Sequence, residues 1–67
     1  MNRNLLAEMA RRGIRPQDIQ KVIGKTRDTV RNKLSGKRDF TVAEAFAIQK
    51  NFFPDLDVKY LFERADQ

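Results

Sequence analysis

The sequence predicts an all-α protein of five short helices, and three observations lead to this fold class. Apolar residues recur at spacings of three and four, which places them along one face of a helix. Glycines, prolines and capping side chains separate these segments at short intervals. The 67 residues include no cysteine, so compact helix packing is the main remaining route to a stable core. We expect a single domain over residues 1–67.

The first two helices have recognisable starts and stops. The first begins after a capping asparagine, Asn2 or Asn4, and ends at Gly13. Its apolar stripe consists of Leu5, Leu6, Met9 and Ala10. The second helix begins with Pro16, which has no N–H to leave unpaired, and ends at Gly24. Its buried face consists of Ile19, Val22 and Ile23.

The third helix is predicted over residues 27–35, between a Thr26 cap and a left-handed Gly36. Val30 and Leu34 lie one turn apart and form a narrow apolar edge. The remaining positions are mostly polar or charged. We therefore expect this helix to be anchored along one edge and to present its other side to solvent.

The fourth helix begins with a capping box formed by Thr41 and Glu44, and Pro54 prevents its continuation. Its sequence is apolar almost all round, which predicts a position at the centre of the core. Asp55 or Asp57 then caps a short fifth helix. The inward residues of that helix are Val58, Leu61 and Phe62. Residues 64–67 are expected to fray.

Positive charge is concentrated in residues 24–38, which contain six basic residues and one acidic residue, a net charge of +5. The residues before this segment carry +3 and the residues after it carry −3, so the whole chain has a net charge of +5. A dense basic segment is typical of a surface that binds a polyanion such as nucleic acid.

The composition also argues against several classes of protein. With no histidine and no cysteine, a zinc site or a His- or Cys-based catalytic pair is not expected, and we predict neither an enzyme nor a cofactor. No apolar run approaches the roughly 18–20 residues of a membrane span. Glu8 interrupts the N-terminal segment too early for a signal peptide. A cytoplasmic protein that does not contact membranes is therefore expected.

The second and third helices contain a pattern that belongs to a known family. The matching residues are Ile19, Ile23, Gly24, Val30 and the run Ser35-Gly36-Lys37-Arg38. Residues 16–35 thereby resemble the helix-turn-helix of the lambda-repressor-like (Cro/C1, Xre-type) DNA-binding family, and the resemblance covers about residues 3–62. Gln20, Lys25 and Lys33 depart from the small or apolar residues usual in the family at their positions.

The resemblance implies a compact five-helix domain whose third helix enters the DNA major groove. The family's base-reading positions fall on Arg27, Asp28 and Asn32, with Thr29 and Arg31 beside them. Arg27 is suited to guanine and Asn32 to adenine. Asp28 either orients one of the two arginines or accepts a hydrogen bond from cytosine, and Arg31 reads a base or a phosphate. An ordinary solvated helix face is the alternative for these residues.

Phosphate contacts are expected from helix ends and from the loop after the third helix, because such contacts fix the position of a protein on DNA without reading sequence. The predicted residues are Arg15, Gln17, Lys25, Thr26, Lys37 and Arg38. For Lys37 and Arg38, the alternative is that they complement the charge of the helix end.

The resemblance implies a sequence-specific regulator of transcription that binds double-stranded operator DNA. It implies a Cro-like repressor from a phage or prophage, in the bacterial cytoplasm and associated with the nucleoid. Because one short helix reads few base pairs, we expect a homodimer on a palindromic operator. Small-molecule ligands are not expected.

Large apolar residues divide into two expected groups. Those placed in the core are Val30, Leu34, Phe46 and Leu61. The second group contains residues of which some are expected to form a self-association patch. Its members are Phe53, Pro54, Tyr60 and Phe62.

A second function remains open on the same fold. The chain can also be read as a protein-binding module, such as an antitoxin or an anti-regulator, since its C-terminal helices are acidic. The basic third helix argues against protein binding as the sole function. RNA binding is less favoured, because no array of surface aromatic residues is predicted for stacking bases.

Overall fold

The chain folds into five α-helices within residues 2–63, the part of the chain that the computed structural model describes. The helices are α1 (Arg3–Arg12), α2 (Pro16–Ile23), α3 (Arg27–Ser35), α4 (Val42–Phe52) and α5 (Val58–Leu61). None of the described residues lies in a β-strand, so the all-α, five-helix prediction is confirmed. The expectation that residues 64–67 fray concerns residues outside the described part.

Local signals set the helix boundaries, as the sequence predicts. Gly24 and Gly36 adopt left-handed conformations with φ of +68° and +93°, and these end α2 and α3. The Thr26 hydroxyl accepts the Thr29 backbone N–H at 3.3 Å, which caps α3. Of the two candidate caps for α5, Asp57 is the one used, and its carboxylate accepts the N–H of Lys59 at 3.3 Å.

The start of α1 differs from the expectation that an asparagine side chain caps it. Asn2 occupies the position before the helix, but its side chain makes no capping hydrogen bond. The Asn2 amide instead donates to the backbone carbonyl of Lys33 at 2.7 Å. Carbonyls in the last turn of a helix lack intrahelical partners, so this bond satisfies one of them at the end of α3.

The core is formed by side chains from all five helices and from the turn after α4. Its buried members are Leu5, Met9, Ile19, Val30, Leu34, Ile48, Phe53 and Leu61. Helix α2 packs against α3 and α4, and α5 packs against α1 and α4. The principal extents of 25, 24 and 22 Å are nearly equal, as expected for helices arranged around one core. Val30, Leu34 and Leu61 are therefore confirmed as core residues.

One prediction about the apolar residues is wrong. Phe46 was expected in the core, but it is 56% exposed, and its neighbour one turn earlier, Val42, is 73% exposed. The reason is geometric, because α4 turns Ala45 and Ile48 inward and Phe46 therefore points away from the core. Helix α4 thus has a buried side and an exposed side, although apolar residues lie on both.

The expected self-association patch is also altered. Phe53 is completely buried, so it belongs to the core and cannot form an interface. Tyr60 is 38% exposed, but its hydroxyl donates to Glu8 at 2.8 Å. Phe62 is half-buried and packs edge-to-face on Phe40, with ring centroids 5.4 Å apart.

A buried ion pair joins α3 to α4. The Lys33 ammonium donates to a Glu44 carboxylate oxygen at 2.5 Å, and each side chain is only 9% exposed. The same Glu44 oxygen accepts the backbone N–H of Thr41 at 3.0 Å, and the Thr41 hydroxyl accepts the N–H of Glu44 at 3.1 Å. The predicted capping box is therefore confirmed, and it is also the anchor for Lys33.

The protonation of Glu44 reflects this network. Burial on its own raises the pKa of the Glu44 carboxyl, but the hydrogen bonds from Lys33 and Thr41 and the charges of Lys33 and Lys25 together lower the pKa below its ordinary value. The carboxylate is thus stabilised in the charged form that both partners require.

We predict that Lys33→Met lowers the free energy of unfolding by about 3 kcal/mol, because it leaves a buried carboxylate without its counter-charge. The double variant Lys33→Met, Glu44→Gln should recover at least half of that loss, since glutamine retains the cap and carries no charge. Urea denaturation at pH 7 measures both. Equal stability of the single and the double variant would contradict the role given to the ion pair.

Glu44 should also make stability depend on pH. A lowered folded-state pKa contributes stability above the unfolded value of about 4.3, and this contribution is lost as the pH falls through the folded value. We therefore expect the stability difference between the wild type and Glu44→Gln to be constant near neutral pH and to shrink below about pH 4.3. Urea denaturation at a series of pH values tests this, and a difference that stays constant into acid would rule out the linkage.

Candidate nucleic-acid interface

Helix α3 is held along one edge and exposed along the other. Val30 and Leu34 are 1% and 5% exposed, and they seat the helix in the core. The residues predicted to read bases lie on the remaining surface. Arg27, Asp28 and Arg31 are exposed, whereas Thr29 and Asn32 are half-buried. The face that the sequence assigns to solvent is therefore the face that is accessible.

The first turn of α3 is ordered by its cap. The Thr26 hydroxyl donates to the Thr29 hydroxyl at 2.9 Å, so the side chain of Thr29 is already engaged within the protein. Asp28 does not form an ion pair with Arg27 or Arg31 within residues 2–63. Asp28 therefore orients neither arginine through an ion pair in the protein without DNA.

The last turn of α3 fixes the basic loop that follows it. The backbone carbonyl of Asn32 accepts the N–H groups of Lys37 at 3.0 Å and Arg38 at 3.2 Å. It also accepts the hydroxyl of Ser35 at 3.0 Å. The loop thus folds back on the helix, and the side chains of Lys37 and Arg38, both exposed, begin beside the end of α3.

Two clefts border α3, one on each side. The first, which we call the lysine cleft, is lined by Lys25, Thr29, Lys33, Lys37, Arg38 and Asp39. The second, which we call the arginine cleft, is lined by Arg15, Pro16, Gln17, Gln20, Arg27 and Arg31. Of the six residues predicted to bind phosphate, five line one of the two clefts, and the sixth, Thr26, is the cap of α3.

A shallow depression on the outer face of α3 connects the two clefts. It is lined by Asp28, Arg31, Asn32, Ser35 and Lys37. Arg31 also lines the arginine cleft, and Lys37 also lines the lysine cleft, so the three surfaces are continuous. The structure thus brings every residue of the predicted site to α3 and its two flanks.

The distribution of ion pairs separates two groups of cations. Arg11 pairs with Glu8 at 2.7 Å, and Lys33 pairs with Glu44. Arg12 makes a two-pronged contact with Asp55 at 2.8 and 2.7 Å, and that contact lowers the pKa of the Asp55 carboxyl. No described residue forms an ion pair with the remaining cations around α3. These are Arg15, Lys25, Arg27, Arg31, Lys37 and Arg38.

This separation matters for the electrostatics of the surface. A cation that is already paired offers little to a polyanion, whereas an exposed cation without a counter-charge remains available to a phosphate. The available cations that line the two clefts therefore lie together around α3. The arginine cleft has no acidic residue in its lining, and the lysine cleft has only Asp39.

Sequence reasoning missed two residues of this surface. Gln20 was noted only as a departure from a family pattern, yet it lines the arginine cleft and lies 3.5 Å from the carbonyl of Lys25. Lys33 lines the lysine cleft, and its charge is neutralised by the ion pair with Glu44. Lys33 and Glu44 are 11 residues apart, so the local pattern around Lys33 gives no signal of this pair.

Comparison of the chain with protein-family models, with curated proteins and with solved structures finds no match. Function is therefore inferred from the geometry and charge of the surface itself. Within residues 2–63, no helix is long and apolar enough to cross a lipid bilayer.

Proposed function

We propose that this protein is a sequence-specific regulator of transcription that binds double-stranded DNA and places α3 in the major groove. The observation that carries the proposal is the position of α3 between two clefts lined by cations, of which only Lys33 has an ion-pair partner among the described residues. The major groove is about 12 Å wide and admits one α-helix, with a phosphate backbone on each side of it. A polar helix flanked by two basic clefts matches that arrangement of charges.

Within this proposal, base recognition falls to the outer face of α3. Arg27 is exposed in the first turn, where its guanidinium can donate two hydrogen bonds to guanine. Asn32 lies on the outer depression, where its amide can pair with the edge of adenine. Asp28 lies beside Asn32 on the same surface and can accept a hydrogen bond from cytosine. Thr29 is the weakest candidate, because its hydroxyl is already bonded to Thr26.

Phosphate binding falls to the two clefts. Lys25, Lys37 and Arg38 serve one strand from the lysine cleft. Arg15 and Gln17 serve the other from the arginine cleft, and Arg31 lies where that cleft meets the base-reading surface. Such contacts supply affinity that falls with salt and that does not depend on sequence.

The regulatory outcome that we propose is repression, in which occupancy of an operator blocks access to overlapping sites. The sequence resemblance to lambda-repressor-like proteins supports a Cro-like repressor of a phage or prophage that acts as a homodimer. A protein-binding module, such as an antitoxin or anti-regulator, is the second candidate. It is favoured by one observation, the exposure of the apolar residues Val42 and Phe46 on α4.

The proposal is tested by selection from random duplex DNA at about 100–150 mM salt, near the ionic strength at which screening is physiological. We expect a short palindromic motif to be enriched. Arg27→Ala and Asn32→Ala should each relax one base position and cost about 1–3 kcal/mol of binding free energy on the selected duplex. Failure of the wild type to enrich any motif would overturn the proposed function.

A lysine variant separates sequence reading from charge. Lys37→Ala should weaken binding to all duplexes alike and reduce the slope of log affinity against log salt by about 0.9, the value for one lost phosphate contact. Lys59→Ala is the matched control, because Lys59 is exposed on α5, which packs on α1 and α4, and it lines neither cleft. Equal salt slopes for the two variants would contradict a phosphate contact at Lys37.

A further inference from the structure

The side chain of Asn2 joins the start of the chain to the end of α3. Asn2 is only 6% exposed, and its amide donates to the backbone carbonyl of Lys33 at 2.7 Å, across 31 positions of sequence. Asparagine is among the residues preferred before a helix, yet this side chain makes no capping hydrogen bond to α1. The Asn2 amide is therefore committed to α3 and not to its own helix.

Lys33, the residue that Asn2 contacts, is held at both its backbone and its side chain. Its carbonyl accepts the Asn2 amide and also the N–H of Gly36 at 3.3 Å, since a carbonyl oxygen has two lone pairs. Its ammonium donates to Glu44 at the start of α4. The backbone of Lys33 is thus tied to the start of α1, and its side chain is tied to the start of α4.

The basic loop, residues 36–38, begins at this fixed point. The carbonyl of Asn32, one residue before Lys33, accepts the N–H groups of Lys37 at 3.0 Å and Arg38 at 3.2 Å. Neighbouring peptide groups are rigid planes joined by only two rotatable bonds, so movement of the Lys33 carbonyl is transmitted to the Asn32 carbonyl. The bond from Asn2 therefore restrains both carbonyls that accept the N–H groups of the loop.

We propose that Asn2 is a positioning residue for the basic loop, and that its bond to the Lys33 carbonyl fixes the direction from which Lys37 and Arg38 reach a phosphate. This inference rests on the proposed function for what the two side chains bind, but not for how the loop is held. Lys37 and Arg38 are exposed and line the lysine cleft, whereas Asn2 lines neither basic cleft. Asn2 thus acts through the loop and touches no DNA.

A fixed loop matters because ordering a flexible segment at the moment of binding reduces affinity. Lys37 and Arg38 have long side chains that already lose rotamer freedom when they contact a phosphate. With the backbone held in advance by the Asn32 and Lys33 carbonyls, only that side-chain loss remains. The expected contribution of Asn2 is therefore to affinity for every duplex, and not to the choice of sequence.

Amide exchange with solvent, followed by NMR in the protein without DNA, tests how the loop is held. Asn2→Ala should speed exchange of the Lys37 and Arg38 N–H groups by about fivefold, the factor that corresponds to one typical hydrogen bond. Circular dichroism of the variant checks that its helices remain folded. Exchange of these two amides at the wild-type rate in folded Asn2→Ala would overturn the proposal.

Asn4→Ala is the matched control, because it removes a bond of the same kind from α1 to a different helix. The Asn4 amide donates to the backbone carbonyl of Tyr60 at 2.8 Å, and the N–H of Glu63 donates to that same carbonyl at 3.4 Å. Asn4→Ala should speed exchange at Glu63 and leave the two loop amides unchanged. Equal acceleration of the loop amides by both variants would indicate a general loss of stability and contradict a positioning role for Asn2.

A second variant separates the end of α3 from the start of α1. Asn2→Ser supplies a residue preferred before a helix, but its hydroxyl is one atom shorter than the amide and does not reach the Lys33 carbonyl. It should speed exchange of the loop amides as Asn2→Ala does. Exchange at the wild-type rate in Asn2→Ser would assign Asn2 to the start of α1 alone and overturn the proposal.

Binding to duplex DNA tests what the fixed loop does. Asn2→Ala should weaken binding by about three- to tenfold on selected and unselected duplexes alike and leave the preferred motif unchanged, because phosphate contacts do not read sequence. In a protein that already carries Lys37→Ala and Arg38→Ala, the same substitution should have almost no effect, since residues that act through one another are not additive. An undiminished effect in that background would overturn the positioning role.

The two measurements keep this proposal distinguishable from the proposed function. If the wild type binds no duplex, the proposed function fails and the phosphate role of the loop fails with it, while amide exchange still decides whether Asn2 holds the loop. If the wild type selects a motif but Asn2→Ala binds every duplex as tightly as the wild type, the proposed function stands and the positioning role is overturned.

Discussion

The attachment of α3 to the rest of the molecule is the constraint on which the other features depend. Val30 and Leu34 bury one edge of the helix, and the Lys33–Glu44 ion pair ties the same side to α4. Glu44 also caps α4, so one carboxylate fixes the start of one helix and the position of another. Breaking a buried pair leaves a charge without a partner, which gives this small domain a strong preference for one seating of α3.

The same arrangement determines which charges are available at the surface. Three cations, Arg11, Arg12 and Lys33, are engaged in ion pairs with acidic residues of the protein. Of the cations on the two flanks of α3, only Lys33 has such an acceptor among the described residues. Six exposed cations thus line the two clefts beside a polar helix, in a chain with a net charge of +5. Under the proposed function, the charge of these clefts and the shape of the helix serve the same ligand, a DNA duplex.

Much of the fold follows from local signals that the sequence contains. Left-handed glycines, the Thr26 cap and the Thr41–Glu44 capping box act over three or four residues, so the helix limits and the outward face of α3 could be predicted. The orientation of α4 could not be predicted, because apolar residues occur all round the helix. Only tertiary packing determines that Ile48 is buried and Phe46 is exposed. The Lys33–Glu44 pair and the bond from Asn2 to the Lys33 carbonyl join residues distant in sequence, which local rules do not address. For the candidate site, the sequence supplies the candidate side chains, whereas the clefts emerge only from packing. The arginine cleft forms where α2 packs on α3, and the lysine cleft forms where the loop after α3 folds back on that helix.

The most direct test of the account is an NMR titration of the ¹⁵N-labelled protein with a duplex carrying its selected motif, followed at each backbone amide. The account predicts that the largest shift changes fall in residues 25–38, with smaller changes at the start of α2. Amides on the side of α1 that packs against α5 should shift little. Changes centred on α1 and α5, with residues 25–38 unaffected, would contradict the claim that α3 is the element presented to DNA.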